Sequence, residues 1–312
     1  MSSMNKRIVK AVLFFVLLHV GFSLGYYRLS WSVREPIYHI APSFDRFYMR
    51  QAFRMWQWWD YLGWTGQDVS VLTEIIPAEE FGFGGEPECA AVSIVLTNQA
   101  YRAGYDVERL APLWVAYRLD AESLFPLTKR PSSFKNDPRI STMSARALYR
   151  TGYDRGHMAP NYGITTRYGK EAQRETFYMS NIIAQRPALN RGIWRRLEGL
   201  IANRYAPQED AIWVYTGPIY GKGAKQLETE AWLPSACYKI VIDKRGAAWR
   251  VMAFIMEQEI PPYTRLRSRM ASIDEIEQRT GINFFPQVLD EAFEEEEASR
   301  LWPIHGPLVW FR

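Results

Sequence analysis

From Ala11 to Tyr27 the chain holds no Asp, Glu, Lys or Arg, and Lys6, Arg7 and Lys10 stand just before it. An apolar run behind a basic flank is the pattern of a membrane anchor or an export signal. The run is longer than the roughly 7–15 residues of a signal core and just short of the about 20 of a spanning helix. Tyr26, Tyr27 and Trp31 supply an interfacial aromatic belt at its end, which favours an uncleaved anchor. The alternative is secretion after cleavage near Ser23-Leu24-Gly25. In both cases the basic flank stays inside and the rest of the chain is exported, to the periplasmic or extracellular side of a bacterial membrane. From Phe44 to Trp64 apolar residues recur at helical spacing with Arg50 and Arg54 interleaved. That segment reads either as a membrane-surface helix or as a helix packed on the domain through Trp56, Trp58, Trp59 and Trp64.

Beyond residue 80 the periodicity changes. Phe81-Gly82-Phe83-Gly84-Gly85 is a glycine-rich loop with no phosphate-loop pattern after it. Ala91 to Leu96 predicts a short strand, Asn98 to Tyr105 a turn, and Trp114 to Leu119 alternates as a strand does. Pro131 to Pro138 reads as loop. Ile212 to Tyr215 predicts a buried strand ended by Thr216-Gly217-Pro218. Cys237–Ile242 and Trp249–Met256 form a hairpin around Asp243-Lys244-Arg245-Gly246. Asn190 to Tyr205 reads as one helix with a buried stripe at Ile193, Leu197, Leu200 and Ile201. Ser272 caps a helix that runs to Thr280, Glu275 makes the capping box, and Gly281 ends it. Strands and helices alternate without a strict βαβ rhythm, so the class is α+β. The chain divides into an anchor or signal segment over 1–30, an amphipathic Trp-rich helical linker over 31–78, the main domain over 79–290, and a tail over 291–312 that is acidic and then apolar.

An aromatic content of 15% excludes a disordered chain. The net charge of +4 decides little, but its distribution decides more. Between Arg102 and Arg204 there are 18 Lys/Arg against 9 Asp/Glu; between Ile273 and Glu297 there is one Arg against nine acids. The basic stretch fits a polyanionic substrate, with a solvated surface as the plainer alternative. The Glu294–Glu297 run reads as a solvated helix face or linker. Cys89 and Cys237 exclude a four-cysteine zinc site and a disulfide-dense scaffold, and leave their own pairing open.

The chemistry concentrates in Asp154-Arg155-Gly156-His157-Met158-Ala159-Pro160, followed by Ser180-Asn181 and by Asn190 and Glu198. Of four histidines, His19 lies in the apolar run, His39 follows it and His305 is near the C-terminus, which leaves His157 as the candidate base. A histidine can take a proton from water, an arginine can hold a phosphate, and an amide with a carboxylate can seat a magnesium ion. On a regular helix Asn190 and Glu198, eight residues apart, differ by roughly 80° at about 100° per residue and share one flank. Taken singly, Asn190 is a helix N-cap and Glu198 a surface glutamate.

These residues resemble the DNA/RNA non-specific endonuclease family. Its D-R-G-H motif is Asp154 to His157, with Ala159-Pro160 after it. Its S/T-N-x-x-P-Q element is similar to Ser180-Asn181-Ile182-Ile183-Ala184-Gln185, where Ala184 replaces the proline in what reads as a loop. Its L-N-x-x-x-W-x-x-L-E run is Leu189 to Glu198, intact. Trp114 to Tyr117, Thr216-Gly217-Pro218 and Thr280 to Pro286 match further landmarks, so the resemblance covers about Phe81 to Pro286. It implies a ββα-metal nuclease fold with central antiparallel sheets flanked by helices, here preceded by an N-terminal apolar helix. It implies a Mg²⁺-dependent, sugar-non-specific endonuclease, with Mn²⁺ as a substitute metal. His157 would be the general base, and Asn190 the direct ligand of one metal ion. Glu198 would act through the metal's waters. Arg155 and, further upstream, Arg130 would stabilise the phosphate, with Arg191 and Arg195 binding substrate. Asp154 would orient the loop rather than catalyse.

The implied partners are DNA and RNA, and the membrane through the N-terminal segment. A homodimer is left open, and no inhibitor protein is identified. Two alternatives stand beside this reading: a catalytically inactive, membrane-tethered nucleic-acid-binding module, and a metal-dependent phosphodiesterase for a small substrate. The intact His157, Asn190 and Glu198 argue against the first, and the basic stretch argues against the second.

Overall fold

The computed structural model describes residues 3–29, 31–41, 43–45, 47–49, 51, 81–209, 211–245, 248–261, 263–288 and 301–302. Most of the Phe44–Trp64 amphipathic segment, the tip of the 243–246 turn and the Glu294–Glu297 run lie outside them. The chain falls into two compact units, Met1–Gly66 and Gln67–Arg312.

In the first unit, α1 (Ser3–Arg28) is followed by α2 (Trp31–Ile40). The C-terminal part of α1 is committed to packing. Ser23 and Tyr26 are buried, and the rings of His19, Phe22 and Tyr26 meet Phe44, Phe47 and Tyr48. The Tyr26 hydroxyl donates to the Asp45 carboxylate at 3.0 Å, and Arg34 pairs with the same buried carboxylate at 3.3 Å. This overturns the expected anchor. Among the described residues no helix is long and apolar enough to cross a membrane. Among the described side chains the exposed apolar stretch runs from Val12 to Leu18, with Phe22 beyond it, short of about 20 residues. Tyr26, expected at a lipid interface, instead faces a buried ion pair. The localisation as a membrane-anchored, exported domain is overturned with that span, and a membrane partner has no support from it.

The second unit is built on a seven-stranded antiparallel sheet: β1 (Ile94–Thr97), β2 (Tyr101–Asp106), β3 (Ala111–Asp120), β6 (Ala211–Ile219), β9 (Ala236–Arg245), β10 (Ala248–Glu257) and β11 (Met270–Ala271), in that spatial order. Alternation along β3 sends Trp114 and Ala116 to one face and Val115, Tyr117 and Leu119 to the other, and both faces are buried. One face carries Phe83, Phe284, Phe285 and the helix α5 (Ile273–Thr280). The other carries α3 (Asn161–Glu175) and the helical stretch 189–205. The apolar stripe Ile193, Leu197, Leu200 and Ile201 is buried there. On that side a two-stranded ribbon, β4 (Asp154–His157) with β5 (Ile182–Gln185), precedes the helical stretch, which is the expected ββα order. A small pair, β7 (Lys225–Gln226) with β8 (Trp232–Leu233), completes the strands.

Several local expectations change. Asn98–Tyr105 is not one turn: Asn98 N bonds Tyr101 O, and β2 begins at Tyr101. β6 does not stop at Thr216 but runs through Gly217 and Pro218. The pairing of β6 with β3 stops at Val115 and Thr216, and Pro218 pairs with Cys237 of β9. Ala184 is not in a loop but in β5, opposite Arg155. In the C-terminal tail, Trp302 is buried against Tyr205 and beneath Arg250. Cys89 and Cys237 are both free. α5 matches its reading, with the Ser272 hydroxyl accepting from Glu275 N at 3.0 Å and Gly281 left-handed at φ 71°.

Candidate active site

The pleat of β4 sorts its four residues onto two faces. Asp154 and Gly156 point one way, Arg155 and His157 the other. The end of the ribbon is tied by Asn181, whose side-chain oxygen accepts from Ala159 N at 2.8 Å and whose amide nitrogen donates to Ala159 O and Thr176 O. Asn181 is fully buried, so its role is to hold the strand end in place. Gly156 is required by its neighbour. A Cβ there would lie 2.1 Å from the Gln185 side-chain oxygen, which lies across this face while the Gln185 amide nitrogen donates to Cys237 Sγ.

On the His157 face the imidazole joins a cluster of two phenyl rings, Phe134 at 5.3 Å and Phe177 at 4.9 Å between centroids, which themselves lie 5.0 Å apart. Each ring carries a guanidinium: Arg155 lies 4.7 Å from the Phe134 centroid and Arg130 5.1 Å from that of Phe177. Arg155 also donates to Ala145 O at 2.8 Å. The two arginines, from a loop and a strand, thus lie on the two phenyl rings that the histidine touches. His157 Nε2 is buried and has no hydrogen-bond partner. Burial, then the Arg130 charge, push the imidazole down to about 3, against an opposing backbone hydrogen bond with Arg155. The ring is therefore neutral at pH 7.

On the other face Asp154 gathers Asn190 and Arg191. Asn190 Nδ2 donates to Asp154 Oδ2 at 3.0 Å, and Arg191 binds both carboxylate oxygens. Burial would raise the Asp154 carboxyl, but the bonds from Arg191 and Asn190 outweigh it and hold it below its ordinary value. Arg191, expected to hold substrate, is thus already engaged by a carboxylate. Asn190 is not an N-cap. Its backbone N bonds Arg186 O, and the helix enters at Ala188. Its side-chain oxygen accepts no hydrogen bond within the described residues. The helix is not regular either. Leu189–Trp194 and Ile201–Tyr205 are π-helical turns around α4 (Arg195–Leu200), and Gly192 leaves helical geometry at φ −98°, ψ −111°. The 100° rule therefore does not relate Asn190 to Glu198. Single π turns are frequent at functional sites.

Glu198 reaches inward. Its Oε1 is buried without a partner. Its neighbour is Lys239, a fully buried lysine on β9 whose Nζ donates to Thr216 Oγ1 at 3.2 Å and lies 4.3 Å from the Trp194 ring centroid. Burial pushes Glu198 up and Lys239 down, and the attraction between the two charges opposes both shifts. Arg195, also near Glu198, is exposed. Lys239, Phe134, Phe177 and Gln185 had no assigned role from sequence. Lys239 had a signal: a lysine flanked by apolar residues inside a predicted buried strand.

Residues 87–291 match the family model for DNA/RNA non-specific endonuclease. The chain is 28% identical over 247 residues to the human protein named Nuclease EXOG, mitochondrial, covering 72% of this chain and 64% of that protein. It is 28% identical over 221 residues to the nuclease of Serratia marcescens, covering 66% and 80%. Against human Endonuclease G, mitochondrial, identity is 26% over 217 residues, covering 63% and 71%. The match spans less than two thirds of the length of the EXOG relatives. Among solved structures, one described as the EndoG/EndoGI complex aligns with TM-score 0.55 at 24% identity, over 62% of this chain and 86% of that one, which supports the fold.

Proposed function

The chain belongs to the DNA/RNA non-specific endonuclease family, and from that membership and its site we propose that it hydrolyses phosphodiester bonds of DNA and RNA with little regard to sequence, with a bound divalent cation, magnesium first. The observation that supports this most is the buried, unpartnered Nε2 of His157, with Arg155 and Arg130 on the two phenyl rings that it touches. A neutral imidazole with a free nitrogen is a general base, and two guanidiniums beside it suit a phosphate.

The residues fit a hydrated magnesium ion. Asn190 offers an amide oxygen without a partner, its orientation fixed by the bond from Nδ2 to Asp154. Glu198 offers a buried carboxylate with Trp194 and Lys239 beside it. Among the described residues no three His, Cys, Asp or Glu side chains converge as a metal cage. One amide ligand with water in the remaining positions suits magnesium, which gives up water reluctantly. When bound, such an ion neutralises the phosphate and stabilises the leaving oxygen. Glu198 would hold the ion's waters, with Lys239 behind it favouring the ionised form.

In this reading His157 Nε2 takes a proton from water as the water oxygen bonds to phosphorus. The bond from phosphorus to the leaving sugar oxygen then breaks. Arg155 and Arg130 hold the non-bridging oxygens where charge accumulates. Arg195, and Arg191 if it exchanges Asp154 for phosphate, grip the backbone, which gives affinity without sequence information. The test is to incubate the full chain with supercoiled plasmid and with RNA, in Mg²⁺ and in chelator, beside His157→Ala. Cleavage of both polymers in Mg²⁺ alone, lost in the variant, supports the proposal. Cleavage that survives His157→Ala, or binding with no cleavage under any divalent metal, rejects it.

A further inference from the structure

The segment just ahead of β4 has two unlike sides. Inward, Met143, Ala147 and Leu148 are buried with Met179, Ile182 and Ala184. Outward, Arg146, Tyr149 and Arg150 are exposed, with Tyr149 63% exposed. Two successive tight turns fix this arrangement, closed by Ala147 N to Ser144 O at 2.8 Å and Tyr149 N to Arg146 O at 2.9 Å. Arg150 has a φ of 59°, a left-handed conformation that arginine rarely adopts, and its guanidinium lies 5.2 Å from the Tyr149 ring centroid. Residues held in such conformations cluster at binding and catalytic sites.

Among the described residues no hydrogen bond or ion pair reaches the side chains of Arg146, Tyr149 and Arg150. Arg109, Arg139, Arg186 and Arg250 each have a carboxylate. A rigidly backed phenol with two unneutralised guanidiniums around it is the composition of a base-stacking surface, because every nucleobase has a π-face and every nucleotide carries a phosphate.

The placement is set by Arg155, whose guanidinium bonds Ala145 O while it lies over Phe134 beside His157. From Ala145 to Tyr149 the chain makes one Cα step of about 3.8 Å and one turn spanning under about 7 Å. Tyr149 therefore starts within about 11 Å of that carbonyl, on the order of three nucleotide steps of about 3.4 Å.

We infer that Tyr149, backed by Arg150 and with Arg146 beside it, is a stacking platform for an unpaired nucleobase a few positions from the phosphate held by Arg155. This rests on the nucleic-acid reading above and adds to it a preference for single-stranded or locally opened substrate on this side. In a duplex both faces of each base are covered by its neighbours, so only an unpaired base can use the ring.

The test measures binding, not cleavage, in the full-length His157→Ala chain. Three probes are used: a single-stranded oligonucleotide, the same strand with abasic sites throughout, and the corresponding duplex. Adding Tyr149→Ala should weaken binding of the base-bearing single strand by roughly 5- to 150-fold. It should leave the abasic strand and the duplex unchanged, and Tyr149→Trp should restore the loss. Arg146→Ala should weaken all three probes and lower the salt slope by about 0.7–0.9. Equal binding of the base-bearing strand with and without Tyr149 overturns the platform while leaving the nuclease reading intact. Failure of the His157→Ala chain to bind any of the three probes overturns both.

Discussion

Two buried cations on the same sheet are treated in opposite ways. Arg250 on β10 is fully partnered: it pairs with Asp243 across the hairpin and with Glu209, and lies over the Trp302 ring. Lys239 on β9 is more deeply buried, yet it makes one hydrogen bond to a threonine and faces Glu198 without touching it. The difference follows position. Arg250 sits away from the ribbon, where the chain satisfies its own polar groups. Lys239 sits under the helix that carries Asn190, where Glu198 Oε1, Trp194 Nε1 and Tyr117 OH are all buried without partners. A buried unmet polar group costs about 1–3 kcal/mol. A chain that concentrates several around one helix is built for something it does not itself contain.

If that contrast is right, substitutions at the open end should change chemistry and those at the closed end should change stability. The largest expected effect is His157→Ala, a loss of roughly 10²–10⁴ in turnover with little change in chemical denaturation at pH 7, read from rates and urea curves on one preparation. Asp243→Ala should do the reverse. It leaves Arg250 half-paired in the interior and should destabilise by about 3–5 kcal/mol, with turnover per folded molecule unchanged. A large rate defect at constant stability would break the contrast. Asn190→Ala should raise the Mg²⁺ concentration needed for half-maximal rate by at least the roughly 10–100-fold seen for lost outer-shell partners; an unaltered Mg²⁺ curve would remove it from the metal site.

The smallest effect is on pH. Burial holds the folded His157 at about 3, below the about 6.5 of an unfolded histidine. The unfolded chain therefore binds the extra proton between those values, and stability rises with pH across that window. The contribution is complete above about 6.5 and is lost as pH falls towards 3. His157→Gln should flatten the fall in urea stability between pH 7 and pH 5. A variant that declines as steeply as the parent would show the imidazole is not held neutral.

What could be read in advance divides along the same line. Contiguous signals were legible: the Asp154–His157 run, the Ser272 cap, the alternation of Trp114–Leu119. Each depends on neighbours in sequence. The ring cluster around His157 depends on Phe134 and Phe177, which come from a loop and a helix end and have no pattern of their own. The helix at 189–205 was legible as a helix through its apolar stripe, but Gly192 breaks its geometry, so the angular relation of Asn190 to Glu198 was not. The apolar run at 11–27 misled for a physical reason. Hydropathy counts Tyr26 and Ser23 as the end of a span, while in the fold both are buried and Tyr26 bonds the Asp45 carboxylate that pairs with Arg34.

The contact between Gly156 and Gln185 has one more consequence. Because a single added carbon at 156 would strike the Gln185 amide, the two positions do not evolve independently. Gly156→Ala should be harmful alone and partly rescued by shortening Gln185, and the pair would show up as non-additive in a double-mutant cycle. The glycine in Asp154-Arg155-Gly156-His157 is then less a feature of the strand that contains it than the imprint of a side chain on the strand beside it.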